Sequence, residues 1–491
     1  MNKFKVILMM LGLAVLLFLI YLKSPKEKEE LHIEQTPPAK EEELTMPDET
    51  NIRVVLKTND NNSIYHGEVA LIPDADYEIL FCGKSRRCKE GEPFAISCAE
   101  ERYQKLISEK IIVIPTVASA RTTVSTLQRS QGTPTYRGAF EIQCCDEGLI
   151  LINDLPMEEY LYAVVPSEMP SDYPMEALKA QAICARTYAV KQMQYSKYTE
   201  LGAHVDDSTS FQVYNNIGEN ETVNQAVDVT REQVVTYGGK VTDTYYFSTS
   251  CGYTTDGGAW KADTEEDMGY LSSRKLSEDA IEVWAVSDET EQEEIFDRFI
   301  RSADDSDYEC KEPWYRWEMQ IEKIALGRLD EKIRERYEVN PSRILTKGEN
   351  GAYSSHEPPS IGELEDIIIA GRGDGGVIEN LIIVGSHATI QILTEYNIRY
   401  VLAAEGASIA RLNDADAACG ILLPSAFFTM DIEYEDDQFA GIHLYGGGYG
   451  HGTGMSQNCA KHMAIKGMQA DQIIECFYRD IEIKELSEGV L

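Results

Sequence analysis

Basic residues are scarce in this 491-residue chain: 45 Lys and Arg stand against 83 Asp and Glu, a formal charge of −38. A field of that sign repels phosphate backbones and anionic lipid surfaces, which argues against nucleic acid as a partner. Two familiar hydrolase signatures are also missing. There is no Gly-x-Ser-x-Gly elbow and no HExxH pair, so serine-elbow and zincin chemistries lose their usual starting points. The acids are concentrated in residues 261–310, with 17 Asp/Glu against 5 Lys/Arg. They lack the alternating acids and turn glycine of a calcium-binding EF-hand, and the stretch reads as a solvated insertion.

One long uncharged run is present. Val6 to Leu22, VILMMLGLAVLLFLIYL, is 17 residues long, near the lower limit for crossing a bilayer. Lys3 and Lys5 precede it. Residues 1–22 therefore read as an uncleaved transmembrane helix, a single-pass anchor in the cell membrane with the bulk of the chain on the extracytoplasmic side. A removed signal peptide is the alternative. Residues 23–50 are charged, proline-punctuated and poor in apolar side chains, as in an extended tether. Eleven cysteines on an outward-facing chain would ordinarily pair, but the number is odd and the spacings form no compact framework. Cys82 and Cys88, in FCGKSRRC, are placed to bridge a hairpin. The adjacent Cys144 and Cys145 should point to opposite faces of a strand.

From 51 to 138, short runs such as IRVVLK, GEVALI, YEILFC and KIIVIP, separated by Gly, Asp and Asn, predict an antiparallel β region. From 139 to 491 strands and helices mix. FQVYNN, and EQVVTYGGKVTDTYYFSTSCGY with its Gly-Gly turn, read as strands. So do WYRWEMQI and VIENLIIVGSHATIQIL, the latter after a GRGDGG turn. The fold class is α+β, with antiparallel β-rich regions around a two-helix elbow.

That elbow begins in NDLPMEEYLYAVV, where Asp154 can cap a helix and Pro156 sits near its first position. After SEMPSDYP a second helix starts, with Ser171 or Asp172 as cap and Pro174 in the first turn. Its positions Met175, Leu178, Ala182, Ala185, Ala189 and Met193 recur at steps of three and four, a narrow alanine-rich face suited to close packing. Between the helices Pro166 and Pro170 bracket Glu168. Each proline fixes its own φ and turns the preceding residue away from helix, which should present the carboxylate on a rigid connection. On the residues alone, Glu168 either works as a general acid/base or caps the second helix.

The other marked segment is YGGGYGHGTGMSQ, with six glycines in positions 446–455. Such a backbone admits close approach by another chain or a ligand. It lacks the Gly-Lys-Ser/Thr ending of a phosphate loop, and no cofactor motif is read from it. His443, His451, Cys459 and His462 lie within twenty residues of one another, but their spacing matches no standard zinc pattern. They are read as hydrogen-bonding or buried groups, with no metal.

These segments resemble the stage II sporulation protein D (SpoIID) and LytB amidase-enhancer family of bacterial cell-wall proteins. The resemblance rests on LPMEEYLYAVVPSEMPSDYPMEALKAQAICARTYAV and GYGHGTGMSQNCAKHMA, supported in order by SFQVYNN, YYFSTSCGYT, WYRWE and LLPSAFF, and spans about residues 139–480. It implies an activity on peptidoglycan glycan strands, with a cell-wall amidase as partner. Under it, Glu168 would be the catalytic acid/base of a lytic transglycosylase, cleaving strands stripped of stem peptides and leaving a 1,6-anhydro sugar. Arg186, in ARTYA, would either hold an N-acetyl or lactyl group or pair with an acid to fasten the elbow. Tyr449, His451, Ser456 and Gln457 would line the facing wall, with Gln212, Tyr214, Ser248 and Thr249 as further wall residues. The rival implication is a glycan-binding module that recruits or stimulates an amidase without cutting. Three departures bear on substrate choice: Cys251 where glycine is expected, the long acidic stretch, and Asn458–Cys459 where tyrosine-glycine is common.

Overall fold

In a computed structural model the described residues are 51–59, 62–214, 217–261, 268–278 and 289–486. The anchor and tether expected over 1–22 and 23–50 lie outside them. No described helix is long and apolar enough to cross a membrane.

The alternating runs near the start do form strands, but these share a sheet with strands beyond residue 138. Ile52–Leu56 pairs antiparallel with Gly148–Leu155, and Lys110–Pro115 pairs with Ala139–Cys145. The resulting seven-stranded sheet extends from Val205–Asp206 at one edge to Lys84–Cys88 at the other. Gly148–Leu155 is buried along its whole length, as its unbroken LILIN pattern requires. Asp154 is part of this strand. Arg53 and Asn51 hold its carboxylate, so it caps no helix.

Next come two helices, α1 (Met157–Glu168) and α2 (Met175–Gln194). Prolines start both: Pro156 and Pro174 occupy the positions just before the first turns, and no side-chain cap is used. Helix α1 does not stop at Val165. It runs through Pro166, and Glu168 is its last residue. A proline one turn from the end forfeits a single hydrogen bond, and the helix closes with the Met169 N–H on the Val165 carbonyl at 2.9 Å. The small side chains of α2 permit more than one close neighbour. Leu178, Ala182, Ala185 and Ala189 are fully buried, and α2 packs against α3 (Glu221–Val229), α7 (Gln457–Ile465), α8 (Ala470–Phe477) and the strand Gln233–Tyr237.

The later part of the chain adds two five-stranded sheets. In one, Trp317–Glu322 lies between Ser408–Arg411 and Gln438–Gly446. The other is inserted between its strands and carries the hairpin Ile378–Gly385 and Thr389–Leu393. Between α3 and α7 come α4 (Glu289–Ile300), α5 (Leu329–Val339) and α6 (Glu395–Leu402). The strands are mostly antiparallel, and the class is α+β.

Three expectations change. The segment FQVYNN forms no ladder over its described residues, because a backbone donor there serves a side chain instead. Cys82 and Cys88 do not bridge: Cys82 is exposed in the hairpin turn, while Cys88 is buried opposite Tyr77, and all eleven thiols are free. The acidic stretch is not wholly solvated. Phe296 and Ile300 of α4 pack with Cys251, Tyr253 and Phe427, and Asp307 and Glu309 are buried.

Candidate functional site

Glu168 ends α1, and the residue as a whole is half-buried. Its Oε1 accepts the Val213 N–H at 2.6 Å. Burial pushes the carboxyl up to about 7, against the pull of that hydrogen bond. The C-terminal end of a helix carries partial negative charge, which also disfavours the anion. The backbone beneath it is fixed from across the fold: the Gln457 amide donates to the Glu168 carbonyl at 3.0 Å and to Gln181 Oε1 at 3.3 Å.

The carboxyl opens on a cavity of about 630 Å³. It is lined by Glu168, Tyr188 and Gln192 of the two helices, the segments 209–213 and 244–248, Tyr449, Gly450 and His451 of the glycine-rich loop, and Glu395, Tyr396 and Arg399 of α6. The glycines let the loop run flush along its neighbour. Tyr246–Phe247 pairs parallel with Met455–Ser456, and Thr249 bridges Tyr449. Gly454 has a positive φ of 78°, and a side chain there would collide with the Tyr245 carbonyl.

Of the residues singled out in the sequence, Glu168, Gln212, Ser248, Tyr449, His451 and Gln457 line this cavity. Tyr449 is 44% exposed, and its ring is braced by Trp314 at 4.7 Å between centroids. His451 is held neutral. Its Nε2 lies 3.0 Å from the Tyr246 carbonyl, which can only accept, and its Nδ1 accepts the Thr453 N–H at 3.1 Å. Burial, with Arg399 nearby, lowers it to about 3.

Four of the candidate site residues lie outside the cavity lining, and for Arg186 the structure shows the second of its two expected roles, pairing with an acid. Arg186 has 0% exposure and forms a two-pronged ion pair with Glu158, at 2.9 and 2.6 Å, besides donating to the Gln233 and Val227 carbonyls. It fastens α2 to the start of α1, and its head is spent there. Tyr214 is buried against Tyr160 and Tyr136, with its hydroxyl on Asn153 at 2.7 Å. Ser456 is buried as the cap of α7 and donates to Glu309 at 2.7 Å. Thr249 accepts from Asn458 at 2.9 Å and is 1% exposed. The histidine and cysteine set is dispersed as well. His462 meets Glu312 at 2.6 Å, His443 stacks on Tyr445, and Cys459 is buried. Among the described residues no three His, Cys, Asp or Glu side chains are grouped to hold a metal ion.

The structure also places residues that the sequence did not point to. Tyr246 lines the cavity beside Gln212. Glu395 supplies a second carboxyl, but Arg399 holds it at 3.1 Å while also donating to the Leu423 and Pro424 carbonyls. Glu309, from the acidic stretch, is buried on Ser250 and Ser456, and burial raises it to about 8. Nothing in the local sequence says that α6, more than two hundred residues from Glu168, lines the same cavity.

The α+β scaffold thus brings two carboxyls, Glu168 and the ion-paired Glu395, and several aromatic rings to one cavity. Residues 145–237 match the family described as Stage II sporulation protein, and 258–454 match a domain of unknown function (DUF8618). The stage II sporulation protein D of Bacillus subtilis is 34% identical over 191 residues, 34% of this chain and 56% of that protein. The amidase enhancer of the same organism is 25% identical over 319 residues, 65% of this chain and 39% of that protein. An uncharacterized protein of Brachyspira hyodysenteriae is 44% identical over 122 residues, 25% of this chain and 33% of its own length. The chain thus carries a domain similar to the stage II sporulation protein family over residues 145–237, and resembles proteins named stage II sporulation protein D and amidase enhancer. It spans between about a third and just over half of the length of these relatives.

Proposed function

We propose that this protein cleaves peptidoglycan glycan strands as a lytic transglycosylase, with Glu168 as its single acid/base. The observation that carries the reading is the carboxyl of Glu168, raised to about 7 by burial and open to a saccharide-sized cavity. A protonated carboxyl gives its proton to the glycosidic oxygen as the C1–O bond breaks. It then takes a proton from the C6 hydroxyl of the same muramyl sugar as O6 bonds to C1, which restores the acid. The product is a 1,6-anhydro end. Because an internal hydroxyl replaces water, no second carboxylate is needed, unlike in two-acid glycosidases. The state of Glu395 supports this, since its ion pair with Arg399 leaves it poorly placed to activate water. Tyr449, braced by Trp314, offers a face on which a sugar ring can stack.

A second reading is favoured by the relative named amidase enhancer: a glycan-binding module that stimulates a cell-wall amidase. The two are separated by strand length. On peptide-free glycan strands, the first expects shortening that Glu168→Gln abolishes. The second expects intact strands, together with equal stimulation of an added amidase by wild type and Glu168→Gln on whole sacculi. We also place the protein on the outer side of the cell membrane, held by residues 1–22. Recovery in the membrane fraction, with protease sensitivity only from outside, is the expected outcome.

A further inference from the structure

Hydrogen-bond accounting around Gln212 fixes the direction of a donor in the cavity. The Gln212 side-chain nitrogen lies 3.2 Å from the Ala185 carbonyl and 3.0 Å from Tyr246 Oη, while its oxygen receives the Tyr160 hydroxyl at 3.2 Å. A carbonyl can only accept, so the atom facing Ala185 is the amide NH₂. The same nitrogen therefore donates to Tyr246, and the Tyr246 oxygen is an acceptor there. Among the described residues no acceptor is shown for its own hydrogen. Tyr246 is half-buried and lines the cavity with Glu168, so that hydrogen is available to a ligand.

We propose that Tyr246, oriented by Gln212, is the recognition group for a 2-acetamido sugar, its O–H donating to the acetamido carbonyl oxygen. This rests on the glycan reading of the site and names what the site selects. A sugar hydroxyl both donates and accepts, so a fixed donor discriminates little among hydroxyls. An acetamido carbonyl only accepts, and a de-acetylated amine that is protonated offers no acceptor at all. Phe211 and Phe247, in the same lining, suit the acetamido methyl. Tyr246 is thus a specificity residue whose absence leaves Glu168 in place.

The test is calorimetric titration of the full chain with chitotetraose and with its fully de-acetylated counterpart, for wild type and Tyr246→Phe. Wild type should bind the acetylated tetramer more tightly. Tyr246→Phe should weaken that binding about tenfold, the worth of one hydrogen bond, while changing the de-acetylated tetramer by less than about twofold. The phenylalanine keeps the ring, and matching melting curves show that the fold is retained. If wild type binds both tetramers equally, or the variant weakens both or neither, the proposal is overturned. Cleavage is not read in this experiment. A chain that binds selectively but never cuts sinks the transglycosylase reading and leaves this one standing, while a chain that cuts without acetamido preference does the reverse.

Discussion

Glu168 stands at the end of a helix where an anion is least welcome, under cover of the cavity walls, with one backbone N–H to offset the burial. Between the ordinary carboxyl value of 4.5 and about 7, the folded chain therefore keeps a proton that the unfolded chain has lost. Stability should accordingly fall as pH rises through this window and level off above it. Glu168→Gln lacks the titration, so its melting temperature relative to wild type should climb from pH 4.5 to about 7 and then stay constant in calorimetry across that range. Under the proposed mechanism the same proton governs cleavage. The cleavage rate should fall by about tenfold per pH unit above about 7, as the acid form is depleted. The residue itself was legible in the sequence, because two prolines at four-residue spacing mark a connection. Its desolvation was not, since Val213 and the loop that buries the carboxyl come from elsewhere in the chain.

At the scale of elements, the two-helix unit is fastened by charge as much as by packing. Arg186 and Glu158 are both buried, and removing one leaves the other without its partner. Arg186→Ala should destabilise the fold by about 3–5 kcal/mol, seen as an earlier urea midpoint, while Arg186→Met with Glu158→Leu should recover much of the loss. A sugar-holding arginine would instead weaken substrate binding and leave the midpoint alone. The starts and lengths of the helices were largely readable from proline positions and apolar spacing. The passage of α1 through Pro166 was not, because the cost of a proline depends on how much helix lies beyond it, and here that is less than a turn. Nor could periodicity choose between the two roles of Arg186. A cation facing α1 and one facing a ligand have the same spacing, and only the buried Glu158 distinguishes them.

On the scale of the whole molecule, the seven-stranded sheet joins the early β region to the domain that carries Glu168. One apolar core runs from Ile52 and Leu56 through Leu161 and Leu178 to Met455 and Ile474. A chain beginning at residue 139 would expose both faces of that junction and the long buried strand Gly148–Leu155. It should be insoluble or unfolded by circular dichroism, whereas a chain beginning at residue 51 should give the spectrum of the full protein. The acidic stretch is likewise part of the fold where Glu309 ties Ser250 to the cap of α7. Composition alone suggested solvent there, because charge counts do not reveal which acid is turned inward. The cavity was the least legible feature, as its lining draws α6, the glycine-rich loop and the end of α1 from distant parts of the chain.

The central claim is that one buried carboxyl cuts a glycan strand by internal displacement, and the chemistry of the new chain end tests it most directly. Peptide-free glycan strands incubated with the full chain should yield fragments whose mass spectra show 1,6-anhydromuramyl ends, absent with Glu168→Gln. Fragments with reducing ends would contradict the account, since they require an activated water and a second carboxylate. Uncut strands in the presence of folded wild-type protein would contradict it too, and would transfer the site to the binding of glycan alone.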